Sequence, residues 1–124
     1  MLVSICMATY NGAKYIREQV DSILNQEFKE NSDVELELVV SDDGSTDDTI
    51  KILESYHDCR IKIFHHQNHA TYKYFKANRL ASDNFAYAIE KATGDYIFLS
   101  DQDDVWFSVK LDRSITILRN SGGQ

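Results

Sequence analysis

Tyr96-Ile97-Phe98-Leu99-Ser100-Asp101-Gln102-Asp103-Asp104 runs an apolar segment of β-formers straight into three carboxylates within four residues. The apolar part, residues 96–99, has the length and composition of a buried strand. The acids begin where it stops. The same joint occurs twice upstream: residues 2–8 lead into Thr9-Tyr10-Asn11-Gly12, and residues 36–40 lead into Ser41-Asp42-Asp43-Gly44-Ser45. A further apolar run, residues 61–64, alternates more strongly (Ile61-Lys62-Ile63-Phe64) and reads as a strand toward a sheet edge. The other three are apolar on successive residues, the pattern of parallel strands covered on both faces.

Helical stripes alternate with these runs. Ala13, Ile16, Val20 and Ile23 recur at spacings of three to four, as do Ile50 and Leu53, then Phe85, Ala88, Ile89 and Ala92, then Leu111, Ile115 and Leu118. Ser45 with Asp48 three residues on reads as a capping-box variant for the second helix, and Gly94 as the terminator of the third. Residues 67–82 are the least regular stretch. The order is βαβαβ, an insertion, then αβα, which predicts an α/β fold with a mostly parallel sheet and crossover helices on both faces, Rossmann-like in plan. Residues 1–120 read as one α/β domain and residues 121–124 as a loose tail or truncation point.

All strands of an open parallel sheet present their carboxyl ends along one edge, where ligands bind at the switch in strand order. Three polar clusters remote in sequence should therefore converge on one crevice. Carboxylates crowded as Asp101, Asp103 and Asp104 are repel one another. A hard divalent cation, Mg²⁺ or Mn²⁺, relieves that repulsion and keeps positions for substrate phosphates. The alternative is a solvated acidic turn capping a helix that starts near Phe107; against it, the apolar run before the acids and Val105-Trp106-Phe107 after them should bracket the site with buried bulk. In the second cluster, one of Asp42 and Asp43 can accept from a nucleobase imide N–H while the other bonds backbone N–H groups of the turn. Thr9, Tyr10 and Asn11 can line a base or ribose pocket, although Asn11-Gly12 alone also reads as a turn signal.

Bulk properties narrow the partners. A formal net charge of -7 over 124 residues argues against nucleic acid as a partner. It leaves open a phosphate ligand bridged to acids by a cation. Cys6 and Cys59 have no metal spacing and read as reduced, inert thiols. With no basic leader before the first apolar run and no membrane-length apolar stretch, a cytoplasmic location is expected. His65, His66 and His69 lack the helical spacing of a soft-metal site.

The motifs Ser4-Ile5-Cys6-Met7-Ala8-Thr9-Tyr10-Asn11-Gly12, Val39-Val40-Ser41-Asp42-Asp43-Gly44-Ser45-Thr46-Asp47 and residues 92–106, taken in order, resemble those of family 2 glycosyltransferases. The resemblance spans most of the chain. It implies a GT-A fold and a nucleotide-diphosphosugar donor, with a UDP- or dTDP-sugar expected. It implies that Asp42 binds the base, that Thr9, Tyr10 and Asn11 line that pocket, and that Asp101 and Gln102 also contact the nucleotide. Asp101 and Asp103 would form the metal pair, with Asp104 a further ligand. The implied reaction is transfer to a hydroxyl of a saccharide or lipid-linked acceptor, with inversion. The wording of residues 101–106 resembles members that build bacterial surface polysaccharides, including rhamnosyltransferases. In full length such a protein can associate peripherally with the inner face of the membrane.

Two departures stand out. Family members are much longer, and their second half carries the acceptor site and the catalytic base; the base is therefore expected beyond residue 124, and this chain alone should bind donor and metal with little or no transfer. The stretch after the third strand also differs, with Asn68-His69-Ala70 followed by an insert bearing Tyr72, Lys73, Tyr74, Phe75, Lys76 and Arg79. Its cations can approach a diphosphate and its aromatics can stack, or it can be an exposed loop with a short helix. Among rivals, an aspartate-dependent phosphatase fits Asp101-Gln102-Asp103-Asp104-Val105 but leaves too little chain after it for its remaining motifs. A receiver-type domain lacks its acids after the first strand. Dinucleotide and P-loop enzymes lack their glycine motifs. A non-catalytic nucleotide-binding module is the remaining alternative.

Overall fold

The computed structural model describes residues 1–66, 77–101 and 105–121, with side chains for 1–66, 83–100 and 105–121. The elements run β1 (Leu2–Thr9), α1 (Ile16–Leu24), β2 (Glu35–Asp42), α2 (Thr49–Glu54), β3 (Ile61–His65), α3 (Ala77–Lys91), β4 (Tyr96–Asp101) and α4 (Lys110–Asn120). The sheet order is β3-β2-β1-β4, and every neighbouring pair is parallel. The chain moves outward from β1 to β2 and β3, then returns across the sheet through α3 to place β4 on the other side of β1. The reversal in strand order thus falls between β1 and β4.

Alternate residues of β1 enter opposite layers. Val3, Ile5 and Met7 join Leu36, Leu38 and Val40 in the main core, which α1 fills with Ile16, Val20 and Ile23, α2 with Leu53, and α4 with Leu111 and Ile115. On the other face Cys6 and Val39 pack with Ala88 of α3, flanked by Phe64 and Ala92. Burial pushes the Cys6 thiol up to about 11, so it stays protonated.

The edge position of β3 is as the sequence predicts. β4, however, is covered on one face only: Tyr96 and Phe98 pack on the main core, while Ile97 and Leu99 are 45% and 54% exposed. It forms the other margin of the sheet, and α3 lies over β1 and β2 instead. The third helix is also longer than its stripe. It begins at Ala77, so residues 77–82 are helical rather than irregular, and its buried side runs through Asn84 and Ala88 while Ile89 faces out.

Two local readings are corrected. α2 starts at Thr49 with Asp48 as an uncapped N-cap, because Ser45 is engaged with Asp42 instead. Gly94 lies three residues past the end of α3 and acts by close approach, not as a cap. A Cβ there would meet Ser4 Oγ at 2.5 Å, Ser4 N at 2.7 Å and Leu2 O at 2.9 Å. Among the described residues no helix is long and apolar enough to cross a membrane.

Buried polar links lock the layers. Glu37 accepts from Ser4 Oγ (2.5 Å), Lys62 Nζ (2.7 Å) and Thr93 N (2.8 Å), tying three strands to the α3–β4 turn. Asp112 of α4 accepts from the backbone amides of Lys29, Glu30 and Asn31 and from the Asn31 carboxamide, which fixes α4 against the loop entering β2.

Candidate functional site

The register sets the site. Thr9 is level with Asp42 across β1–β2, and Ala8 is level with Asp101 across β1–β4. The two acidic strand ends therefore flank the end of β1 on the same sheet edge. Two inter-strand steps put their Cα atoms about 10 Å apart. That edge is where the strand order reverses, the place at which open parallel sheets bind ligands.

The β1–α1 and β2–α2 loops are knitted together above it. Thr9 Oγ1 donates to Asp42 Oδ1 (2.7 Å), Ser45 Oγ donates to the same oxygen (2.5 Å), and Ser45 N donates to Asp42 Oδ2 (2.8 Å). Asp42 is 1% exposed, so its carboxylate organises the turn from below. Asn11 adopts φ 49, the left-handed turn conformation that Asn tolerates, and its Oδ1 accepts from Thr46 N (2.8 Å) and Asp47 N (3.3 Å). Its own amide donates to Ser45 Oγ (2.9 Å). Asp47 accepts from Thr49 Oγ1 (2.5 Å) and Ala13 N (3.1 Å). The Thr49 hydroxyl in particular, with the Ala13 and Thr49 amides, outweighs burial and holds the Asp47 carboxyl below the usual carboxylate range. Tyr10 projects outward and is 54% exposed.

Asp43 takes a different course from Asp42. Its amide donates to Thr9 O (3.0 Å), and its Oδ1 lies 3.2 Å from His66 Nδ1. From the α3 side, Asn84 Nδ2 also donates to Thr9 O (3.3 Å), while Asn84 Oδ1 accepts from Ser41 Oγ (2.5 Å). Asn84 has no place in the sequence-based site, and His66 enters it only as one of three histidines without metal spacing. Asn84 carries a signal: a polar residue four before Ala88 on a core-facing stripe. His66 becomes legible from strand register, since Asp42 is level with His65 and the next residue of each strand meets its neighbour.

Below the crevice, Gln19 Nε2 of α1 donates to Ser100 Oγ of β4, one residue before Asp101. After the acidic motif, Trp106 is buried in the main core and its amide donates to Ser22 Oγ (3.0 Å). Val105 and Phe107 are exposed, so Trp106 alone supplies the buried bulk expected on that side. α4 starts at Lys110, not near Phe107. The side chain of Asp101, residues Gln102, Asp103 and Asp104, and the insert residues Asn68 to Lys76 together with the Arg79 side chain lie outside the described residues. Among the described residues no group of three or more His, Cys, Asp or Glu could hold a metal, and His66 is paired with Asp43. The donor set that would hold one, Asp101, Asp103 and Asp104, is all carboxylate oxygen and fits a hard divalent cation.

Comparison with known proteins finds relatives in both sequence and fold. The model of the family described as "Glycosyl transferase family 2" matches residues 4–120. The dTDP-rhamnosyl transferase RfbG of Shigella flexneri is 36% identical over 115 residues, covering 90% of this chain and 36% of its own length. The crystal structure of S. aureus TarS 1-349 in complex with UDP-GlcNAc superposes with TM-score 0.73 at 28% identity, over 97% of this chain and 32% of that one. The mannosyltransferase PcManGT from Pyrobaculum calidifontis, in complex with GDP-Man and Mn²⁺, gives TM-score 0.69 at 27% identity, over 94% of this chain and 32% of that one. The chain thus spans about a third of the length of these proteins. Its fold is the GT-A fold of these glycosyltransferases.

Proposed function

Since the chain belongs to glycosyl transferase family 2, we propose that its carboxyl sheet edge binds a nucleotide-diphosphosugar donor, with the base at the β1–β2 end and the diphosphate at the β4 end. One observation carries the reading: the parallel registers Thr9↔Asp42 and Ala8↔Asp101 set two acid-bearing strand ends on either side of β1. The family resemblance gives the base to Asp42; because Asp42 is engaged by Thr9 and Ser45, the role of acceptor for a base imide N–H moves to the adjacent Asp43. Thr9 and Asn11 hold the loops that wall the pocket. The exposed Tyr10 ring offers a stacking surface to base or ribose. Asp101, Asp103 and Asp104 would hold Mn²⁺ or Mg²⁺, with Gln102 beside the nucleotide. When bound, such an ion neutralises charge on the departing nucleoside diphosphate.

Residues 1–120 form this donor-binding unit, with 121–124 a tail. Transfer belongs to the whole protein: an acceptor hydroxyl attacks the anomeric carbon with inversion, helped by a general base outside these 124 residues. UDP- or dTDP-sugar is the favoured donor, given the ligand bound to TarS and the name of RfbG. The likeness of residues 101–106 to members that build bacterial surface polysaccharides favours a role of that kind, carried out in the cytoplasm at the inner face of the membrane.

The test is a thermal-shift series with UDP-, dTDP-, GDP- and CDP-sugars, with and without Mn²⁺. A ligand at 100 times its Kd adds about 2.7 kcal/mol to native stability. Asp103→Ala should remove the metal-dependent part of the shift. An unchanged metal response in that variant, or no shift with any nucleotide sugar, would sink the assignment.

A further inference from the structure

Asp43 is not held by its own turn, as Asp42 is; it is held by residues from the far side of the sheet. His66 follows the last residue of β3, and its amide donates to Asp42 O (2.8 Å), which fixes its backbone beside the β2 end. Its Nδ1 lies 3.2 Å from Asp43 Oδ1. An ionised carboxylate only accepts, so Nδ1 is the donor. The imidazole in turn rests on Tyr87 of α3, with ring centroids 5.1 Å apart and planes at 49°. Tyr87 lies three residues after Asn84, on the same side of the helix. Asn84 holds Thr9 O, the carbonyl that also receives the Asp43 amide. One helix face therefore braces both the backbone and the carboxylate of Asp43. The Lys91 ammonium lies over the Tyr87 and Phe64 rings, at 5.2 and 5.8 Å, and backs the same layer.

We propose that His66 is a positioning residue for base recognition: its Nδ1–H holds Asp43 Oδ1 and turns the other oxygen toward the nucleobase. This rests on the reading of Asp43 as the base acceptor. The consequence is selectivity. Uracil and thymine present an imide N3–H, which a carboxylate oxygen accepts; cytosine presents a bare N3, an acceptor that the same oxygen repels. His66 sharpens that contrast by denying the carboxylate freedom to rotate away. Its removal should thus weaken binding of an imide-bearing nucleotide and leave a cytosine nucleotide almost untouched.

The experiment is calorimetric titration of the whole protein with UDP and with CDP in the presence of Mn²⁺. His66→Phe keeps an aromatic ring against Tyr87 but has no donor; His66→Asn has an N–H near the Nδ1 position but no ring. Wild type should prefer UDP, and Asp43→Ala should lose that preference. His66→Phe should weaken UDP binding about fivefold to tenfold, the scale of one typical net hydrogen bond, with CDP changed less than about twofold. His66→Asn should stay within about twofold of wild type for both. His66→Leu takes the same role should His66→Phe not fold. Two results overturn the proposal while sparing Asp43: UDP affinity intact in His66→Phe with Asp43→Ala impaired, or His66→Asn impaired as much as His66→Phe, which would make the ring and not the donor the active part. No UDP preference in wild type, or none lost in Asp43→Ala, would overturn the base assignment and this inference with it.

Discussion

Replacing Glu37 by Gln should make the protein less stable at neutral pH by about 2–3 kcal/mol, and the deficit should vanish in acid. Burial alone would discourage ionisation of Glu37. The Lys62 ammonium, the Ser4 hydroxyl and the amide and hydroxyl of Thr93 overcome it and pull the carboxyl from 4.5 down to about 2. At 1.36 kcal/mol per pH unit that difference corresponds to about 3 kcal/mol. Lys62 is about half exposed, so solvent screens its share and the lower part of the range is expected. Because the folded value lies below the unfolded one, the unfolded chain binds the extra proton. The contribution is therefore complete above about pH 4.5 and is lost as pH falls through 4.5 toward 2. Urea unfolding of wild type and Glu37→Gln at pH 6, 4 and 2.5 measures it. Other carboxylates titrate in the same window, so the quantity to read is the gap between the two proteins. It should be about 2–3 kcal/mol at pH 6 and shrink steadily in acid. A constant gap would mean that Gln is merely a poor fit, and a gap below about 0.5 kcal/mol at pH 6 would mean that the network carries no net stabilisation.

Two further substitutions probe the loops. Gly94→Ala should destabilise by about 1–3 kcal/mol, the range for forcing an extra carbon into a tight contact, because two of the three close atoms are backbone of β1 and cannot move aside; a melting temperature within a degree of wild type would contradict this. Asn11→Ala should cost more than Asn11→Gly, since both lose the bonds to Thr46 and Asp47 but only alanine is strained at φ 49; the difference, about 1 kcal/mol by thermal melting, isolates the backbone part, and equal losses would assign everything to the carboxamide.

The sheet was legible because each strand is a run of β-formers bounded by a polar cluster, and because helical stripes separate the runs. That pattern also placed the strand ends at Thr9, Asp42 and Asp101 on one edge, since parallel strands must end together. Fine assignments failed where the deciding partner is remote in sequence. Ser45 looks like a helix cap by its neighbours, but Asp42, three residues earlier and turned inward, takes its hydroxyl. Gly94 looks like a helix stop, but its small size serves Ser4, ninety residues away. The adjacent Asp42 and Asp43 cannot be told apart by type; Thr9 at the end of one strand and His66 just past another separate them. Ile97 and Leu99 read as buried because they are apolar, yet α3 covers β1 and β2 and leaves that face of β4 open.

The central place of β1 bears on how the protein assembles. Val3 pairs with Glu35's neighbour Leu36 on one side and with Tyr96 on the other. The second pairing closes a loop almost three times as long as the first, and the entropic penalty of closure grows with loop length. Contacts so distant in sequence slow folding, and the β1–β4 pairing contributes more of that separation than the β1–β2 pairing does. A ligand that engages both the β2 and the β4 end of this edge therefore bridges the pairing that closes the longer loop, and by binding only the assembled sheet it stabilises that closure.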